Sequence, residues 1–200
     1  TILTSTNAVA WSEYVIPGGK PLEAVSFGNG RFVVGGRSGE VFTSRDGANW
    51  THTNTGHSYP NDLYSIVFAN GVFVAVGSGS WSGFVTISTD GEQWTRTFLQ
   101  EDQWFGSVTF GNGTFVAVGG KSRFDIPLPI WTSKDAVSWE SHPTPATYSF
   151  TGVAYGNGRF VAVRYDNEGS GRSIFTSADG TEWQPVGALI RALFKDVTFG

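Results

Sequence analysis

The residues with the best-defined chemistry in this 200-residue sequence are aromatic and polar side chains that share predicted loops. Trp and Tyr rings stack on the apolar faces of sugars, while Asp, Asn, Arg and Gln side chains bond to sugar hydroxyls. The residues that we predict to contact a ligand are Tyr59, Trp81, Trp104, Arg123, Tyr148, Tyr165 and Asp166. We hypothesise that they form a carbohydrate-binding site, with ordinary solvated loops as the alternative interpretation.

Metal and cofactor chemistry has little support in the sequence. The chain contains no Cys, which excludes disulfides and thiolate metal sites. His52, His57 and His142 lack the spacing of a two-His zinc motif. The acidic run at 166–169 lacks the alternating ligands of an EF-hand loop. We therefore predict no metal site, no cofactor and no catalytic residue.

Charge and hydropathy narrow the range of partners. A net charge of -4 disfavours binding to a phosphate backbone, so we predict no nucleic-acid partner. No apolar run reaches the roughly 18 residues of a membrane span. The chain contains no Met and opens on Thr1 within a predicted strand, so we expect a processed protein or an excerpt of a longer one. We expect it to act in a secreted or cell-surface setting.

A seven-residue phrase from Ser to Trp organises the whole chain. Its five copies run from Ser5 to Trp11, Ser44 to Trp50, Ser88 to Trp94, Ser133 to Trp139 and Ser177 to Trp183. The third residue of each copy is acidic or an amide: Asn7, Asp46, Asp90, Asp135 and Asp179. Such a side chain accepts backbone N–H bonds within a turn, and the Trp fills the gap between neighbouring units. We predict structural roles for these Ser, Asp and Trp residues.

A second phrase places Asn-Gly between two apolar runs, which is the strongest short-range signal of a β-hairpin. Its four full copies contain Asn29-Gly30, Asn70-Gly71, Asn112-Gly113 and Asn157-Gly158. The unit is therefore predicted to contain two strands around this turn, a third strand before the Ser and a fourth that includes the Trp. The Trp residues that end the five Ser-to-Trp phrases recur at intervals of 39, 44, 45 and 44 residues, which is the period of a propeller blade.

The Ser-to-Trp phrase resembles the Asp box of sialidase-type (BNR-like) β-propellers, a Ser-x-Asp-x-Gly-x-x-Trp turn between the third and fourth strands. Here Gly follows Asp directly, and Ala8 and Ala136 replace the Gly in two copies. The resemblance covers essentially the whole chain. It implies an all-β propeller of four-stranded antiparallel blades in a single domain. We predict blades at about 12–50, 51–94, 95–139 and 140–183, and a fifth composite blade from 1–11 and 184–200.

The same resemblance raises the alternative of a sialidase-like glycosidase. Those enzymes are similar to one another in an Arg-Ile-Pro strand, a three-arginine carboxylate clamp, a Tyr/Glu pair and an Asp acid. In this chain Asp125 precedes Ile126-Pro127, where the arginine would stand, and no Tyr/Glu pair can be assigned. We therefore expect a binding module rather than an enzyme.

Spacing predicts the end of the fold that binds a ligand. The interval from each Asn-Gly aromatic to the next Trp varies (23, 26, 29 and 28 residues), so the connection between second and third strands varies most. That connection lies opposite the Asn-Gly turns, and loops on a rigid scaffold commonly bind ligands. Glycan recognition, a protein-binding or assembly scaffold, and a propeller without a ligand remain open. Self-association through an incomplete blade is a further expectation.

Overall fold

The computed structural model describes residues 1–56, 61–80, 82–121, 128–144, 149–164, 173–187 and 194–199, with Leu99 and Lys121 described by their backbone alone. Regular structure in these residues consists of 18 β-strands and one short 3-10 turn, Arg37–Gly39. The strands form four four-stranded antiparallel sheets and one two-stranded sheet. The predicted all-β class is confirmed.

Each four-stranded sheet is a meander in which neighbours in the chain are neighbours in the sheet. Sheet 1 contains β3 (Leu22–Gly28), β4 (Arg31–Gly36), β5 (Glu40–Ser44) and β6 (Thr51–Asn54). Sheet 2 contains β7 (Asp62–Ala69), β8 (Val72–Gly79), β9 (Ser82–Ser88) and β10 (Thr95–Glu101). Sheet 3 contains β11 (Gln103–Gly111), β12 (Thr114–Lys121), β13 (Ile130–Ser133) and β14 (Glu140–His142). Sheet 4 contains β15 (Phe150–Gly156), β16 (Arg159–Arg164), β17 (Ile174–Ser177) and β18 (Gln184–Val186).

The two-stranded sheet pairs β1 (Ile2–Thr4) with β2 (Ser12–Tyr14). The first Ser-to-Trp phrase lies between these strands, as the other copies lie between third and fourth strands. Thus β1 and β2 correspond to the third and fourth strands of a blade. Segment 194–199, which lies within the predicted composite blade (1–11 and 184–200), contains no regular strand.

The turns confirm the Asn-Gly interpretation. Both residues of every full Asn-Gly copy have positive φ; Asn29 and Gly30, for example, have φ of 49° and 67°. One expectation was wrong: each fourth strand begins at the residue after the Trp and does not include it. The reason is local, because the indole N–H of Trp50 donates to the Gly47 carbonyl (3.0 Å), which makes the Trp the closing residue of the turn.

Apolar side chains are buried mainly between successive sheets. Trp94 of sheet 2, for example, is buried in one cluster with Val33 and Val41 of sheet 1, and Trp139 of sheet 3 is buried with Val85 of sheet 2. The first strands of successive four-stranded sheets also contact one another, β3 with β7, β7 with β11 and β11 with β15. Each sheet therefore packs on its neighbour through one face, and the first strands lie side by side.

Candidate functional site at the variable-loop end

The first strand of every four-stranded sheet has one extra residue at the same place. Its pairing register with the second strand shifts between Leu22 and Ala24, Leu63 and Ser65, Phe105 and Ser107, and Phe150 and Gly152. The extra residues are Glu23, Tyr64, Gly106 and Thr151. A β-bulge redirects the side chain of the extra residue. Four equivalent positions are thereby redirected near the start of the first strands.

A cavity of about 420 Å³ forms at these bulges. Its lining residues, which we call the end pocket, are Tyr64, Ser78, Trp104, Gly106, Thr151 and Lys195. Trp104 is near the start of β11 and Ser78 near the end of β8, so the pocket lies opposite the Asn-Gly turns. This is the end at which the sequence predicted ligand binding.

Trp104 is half-buried and its indole forms a wall of the end pocket. The ring lies against two glycines, because a Cβ built on Gly120 or Gly106 would come within 2.3 Å or 2.7 Å of indole carbons. The Tyr64 ring meets the indole edge-on, with ring centres 6.5 Å apart and planes at 83°. Two glycines and one tyrosine therefore hold the indole in place and leave part of its surface free for contact.

The hydroxyl and amino groups of the end pocket come from sheet 2, sheet 4 and the segment after sheet 4. The Tyr64 hydroxyl and the Ser78 hydroxyl are hydrogen-bonded at 3.1 Å, and Thr151 Oγ1 donates to the Phe194 carbonyl at 2.8 Å. Lys195 is exposed and adds a positive charge at the rim. The pocket thus combines an aromatic wall, hydroxyl groups and one cation.

Only one of the seven predicted ligand-binding residues, Trp104, falls within the described part of the chain, and it lines the pocket. The other six lie outside the described residues: Tyr59, Trp81, Arg123, Tyr148, Tyr165 and Asp166. Sequence reasoning missed Tyr64, Thr151 and Lys195 because it searched loops, whereas these residues belong to first strands or to their equivalent. Their position in the repeat could have identified them, since each stands four residues before the aromatic residue that precedes the Asn-Gly turn or its equivalent.

Comparison with known proteins identifies the architecture. The chain aligns with YCF48 solved bound to a D1 peptide (18% identity, TM-score 0.67, 92% of this chain and 59% of that one). It also aligns with YCF48 from Cyanidioschyzon merolae (16% identity, TM-score 0.65, 94% and 62%). The fold is a β-propeller.

A third similar structure is the extracellular domain of BT4673 from B. thetaiotaomicron, a protein named as a hybrid two-component system (11% identity, TM-score 0.63). That alignment covers 93% of this chain and 26% of the other. The chain thus spans less than two thirds of the length of each of these three neighbours. No protein-family model matches the chain, and no curated protein matches it.

The opposite end of the propeller holds the Ser-to-Trp turns, whose acidic residues accept several hydrogen bonds from their own turns. Asp135 Oδ1 accepts the backbone N–H groups of Val137 and Ser138, both at 2.8 Å, and the Ser133 hydroxyl at 3.0 Å. These bonds, the one from Ser138 N–H first, lower the pKa of Asp135 to about 2. The carboxylate is therefore ionised at neutral pH and holds its turn through these hydrogen bonds.

The equivalent acidic residues have the same surroundings. The pKa of Asp179 is lowered to about 2, chiefly by the N–H of Thr181, and Asn49 N–H is the main reason that the pKa of Asp46 lies far below its usual range. The pKa of Asp90 is also lowered, first by Gln93 N–H. In the first copy Asn7 replaces Asp, and its Oδ1 accepts from Val9 and Ala10 at 2.9 Å.

The His residues and acidic side chains of the described ranges do not gather into a metal site. No group of three or more His, Asp or Glu side chains converges there. His52 contacts Glu40, and His142 Nε2 is hydrogen-bonded to Thr132 Oγ1 at 2.8 Å. His57 and the acidic run at 166–169 lie outside the described residues.

Among the described residues, no helix is long and apolar enough to cross a membrane.

Proposed function

We propose that this chain is a non-catalytic binding module that takes a segment of a protein partner in the end pocket. The observation behind the proposal is the fixed indole of Trp104 beside Tyr64, with the cation of Lys195 at the rim. An aromatic wall takes an apolar side chain, and a rim cation attracts a carboxylate. YCF48, a structural neighbour, has been solved with a peptide bound, which supports a peptide ligand here.

The proposed ligand is an extended peptide with one apolar anchor and an adjacent acidic group. A displayed peptide library selected on the purified chain tests this, followed by calorimetry with the enriched sequences. We expect Trp104→Ala to weaken binding at least tenfold, about 1.4 kcal/mol or more. Phe27→Ala is the control, because Phe27 is an exposed aromatic residue that does not line the end pocket, and it is expected to bind as the parent does. Enriched peptides that bind Trp104→Ala equally well would refute the assignment.

Glycan recognition is the second candidate function. Its support is the half-buried Trp104 ring beside the Tyr64 and Ser78 hydroxyls, an arrangement on which a sugar could stack and hydrogen-bond. A glycan array with the parent chain and Trp104→Ala tests it. If the parent chain binds one class of sugar and Trp104→Ala abolishes that binding, glycan recognition is favoured over the peptide. If the parent chain binds no glycan on the array, this candidate is rejected.

We also propose a ring of five blades, in which β1, β2 and segment 194–199 belong to one composite blade. The support is that Phe199 lies against Gly156 as Tyr155 lies against Gly111, which is the contact expected of a first strand beside sheet 4. Spin labels on Leu3→Cys and Thr198→Cys test this directly, because the chain has no native Cys. Two strand spacings separate first and third strands, so we expect about 10 Å between the labelled backbones; a separation above about 20 Å would refute the fifth blade.

A setting outside the cell or at its surface is part of the proposal, supported by the extracellular neighbour. Fractionation of the native organism with an antibody to this chain tests it, and recovery in the cytoplasmic fraction alone would refute it.

The absence of catalysis is tested by incubating the chain with chromogenic glycosides, among them a sialoside. Release of the chromophore above the blank would overturn the non-catalytic assignment.

A further inference from the structure

A small cavity of about 230 Å³ lies at the end of the fold that holds the Asn-Gly turns, between sheet 1 and the Ser-to-Trp turn of sheet 2. All of its lining residues are polar or charged. We call it the polar cleft; its lining includes Arg31, Thr43, Arg45, Asn49, Thr51 and Glu92. Sheets 1 and 2 each have four strands in the described structure, so the cleft is formed entirely by complete sheets.

Arg31 forms the inner wall of the polar cleft and is held in place. Its side chain is 13% exposed, and a Cβ built on Gly91 of sheet 2 would lie 3.6 Å from Arg31 Cδ. Its Nη1 donates to a Glu92 carboxylate oxygen and to Thr43 Oγ1, the latter at 3.5 Å. Within the described residues these are the only hydrogen bonds of the guanidinium. Its Nε and Nη2 groups therefore keep N–H donors for a further acceptor.

Arg45, Asn49 and Thr51 form an exposed rim around the polar cleft. The side chain of Arg45 has no ion pair or hydrogen bond among the described residues, and neither has the Thr51 hydroxyl. Asn49 Nδ2 donates to Asp46 Oδ2 at 2.8 Å, which fixes the amide and leaves Asn49 Oδ1 as an acceptor. The rim thus offers one cation, one carbonyl oxygen and one hydroxyl to a ligand.

Comparison with the other sheets shows that the repeat does not require the two arginines. Sheets 2, 3 and 4 form the same hairpin and the same Ser-to-Trp turn. At the positions equivalent to Arg31 and Arg45 these sheets have, in order, Val72 and Thr89, Thr114 and Lys134, and Arg159 and Ala178. Sheet 1 is the one four-stranded sheet of the described structure with arginine at both positions. The pair is therefore explained better by a ligand than by folding.

Charge favours a ligand with a single negative charge. Two guanidinium groups and one carboxylate give the polar cleft a net charge of about +1 at neutral pH. A monoanion neutralises this charge, whereas a dianion such as phosphate would bring an additional negative charge beside Glu92. The planar N–H groups of arginine also match the two oxygens of a carboxylate. A carboxylate is thus the anion that suits the cleft best.

The size of the polar cleft limits the rest of the ligand. Its volume of about 230 Å³ is below the roughly 300 Å³ at which sites for drug-sized ligands begin. The carbonyl oxygen of Asn49 and the hydroxyl of Thr51 lie at the same rim as Arg45. A hydroxyl group next to the carboxylate can donate to Asn49 Oδ1 and accept from Thr51, and an unsubstituted carboxylate leaves both without a partner.

We propose that the polar cleft binds a small free hydroxycarboxylate. The carboxylate accepts hydrogen bonds from the open N–H groups of Arg31 and Arg45, and the adjacent hydroxyl bonds to Asn49 and Thr51. Glu92 positions Arg31 and excludes dianions by charge. An Asp or Glu side chain of another protein is a poorer occupant, because it presents no hydroxyl to the rim.

The test is a titration of the whole chain with glycolate at constant ionic strength, followed by NMR of the arginine Nε–H groups. We expect saturable shifts of the Arg31 and Arg45 signals, with a dissociation constant in the millimolar range. Acetate differs from glycolate by the hydroxyl alone, and we expect it to bind about threefold more weakly or worse. Equal binding of acetate and glycolate overturns the role of the hydroxyl, and the absence of saturable shifts overturns the site.

Arg45→Gln tests the rim cation. Because Arg45 is exposed and has no partner in the described structure, we expect the variant to fold as the parent does and to bind glycolate about fivefold more weakly or worse. Arg159→Gln is the matched control, since Arg159 is exposed, starts the second strand of sheet 4 and does not line the cleft. Equal affinity of the two variants for glycolate overturns the proposal.

Glu92→Gln tests the charge argument with phosphate as the probe. The parent is expected to bind phosphate more weakly than glycolate, and the variant to bind phosphate about threefold more tightly or better, because the charge of the cleft rises to about +2. A parent chain that prefers phosphate, or a variant with unchanged affinity for it, overturns the assignment of a monoanion.

This inference goes beyond the proposed peptide ligand, and it depends on neither the end pocket nor the fifth blade. Trp104→Ala separates the two sites, because Trp104 lines the end pocket and not the polar cleft. We expect this variant to lose peptide binding and to bind glycolate as the parent does. Loss of glycolate binding in Trp104→Ala would overturn the polar cleft as a separate site.

Discussion

The ring of Tyr155 lies directly over Gly111, at a distance that leaves no room for a side chain: a Cβ built on Gly111 would come within 2.0 Å of Tyr155 Cγ. Phe68 lies in the same way over Gly28, and Phe199 over Gly156. In these three contacts an aromatic side chain packs on the glycine that ends the first strand of the preceding sheet. This contact joins successive blades near the centre of the propeller.

Gly111→Ala is expected to destabilise the chain by about 1–3 kcal/mol, because the methyl group must displace the Tyr155 ring or the sheet behind it. Ala69 of sheet 2 holds the equivalent position, so Ala69→Gly is a matched control that removes a methyl from the same kind of site. We expect it to change stability by less than 1 kcal/mol. Urea denaturation of both variants measures the two values, and an unchanged midpoint for Gly111→Ala would contradict the contact.

Ala8→Gly is expected to stabilise the chain by about 0.5–1 kcal/mol. Ala8 has a φ of 57° and is exposed, so glycine relieves left-handed strain without loss of packing. Ala136 has a φ of 63° but is fully buried in an apolar cluster. Ala136→Gly should therefore gain less or lose stability, since its methyl contacts disappear. Thermal unfolding of both variants measures their changes in stability. A larger gain in stability for Ala136→Gly than for Ala8→Gly would argue against this explanation.

Stability is expected to fall as the pH drops from about 4 to 2. The folded-state pKa values of Asp135 and Asp179 are about 2, below the roughly 3.9 of an unfolded Asp. Their contribution is complete above the unfolded value and is lost as pH falls through the folded value. Urea midpoints at pH 7, 4 and 2.5 measure this. Asp179→Asn should flatten the decline, and a variant as acid-sensitive as the parent would count against the hydrogen-bonded turns as its source.

Tyr64→Phe is expected to separate the two candidate ligands of the end pocket. The substitution removes the hydroxyl that bonds to Ser78 and keeps the ring edge against Trp104. A sugar that uses this hydroxyl should bind about 5- to 15-fold more weakly, because a hydrogen bond contributes about 1 kcal/mol or somewhat more. A peptide held by the indole should lose less than twofold. Calorimetry with the enriched peptide and with the best array glycan distinguishes these outcomes.

The repeats determined the architecture without help from tertiary contacts. Asn-Gly between apolar runs specifies a hairpin through the backbone of two residues, and a box residue such as Asp135 bonds only to its own turn. Both signals depend on neighbours in the chain, so the sequence was enough to predict four-stranded antiparallel sheets at a period of about 44 residues. It also identified the end of the fold opposite those turns as the variable one.

Only the tertiary structure decided which side chains share a pocket. Tyr64, Trp104 and Lys195 are separated by tens of residues and meet because successive first strands lie side by side with a bulge at the same position. The bulged position has no characteristic residue type, because Glu, Tyr, Gly and Thr each occupy it in one of the four sheets. Local hydrogen bonding can be read from adjacent residues, whereas packing between sheets requires the three-dimensional arrangement that brings distant residues into contact.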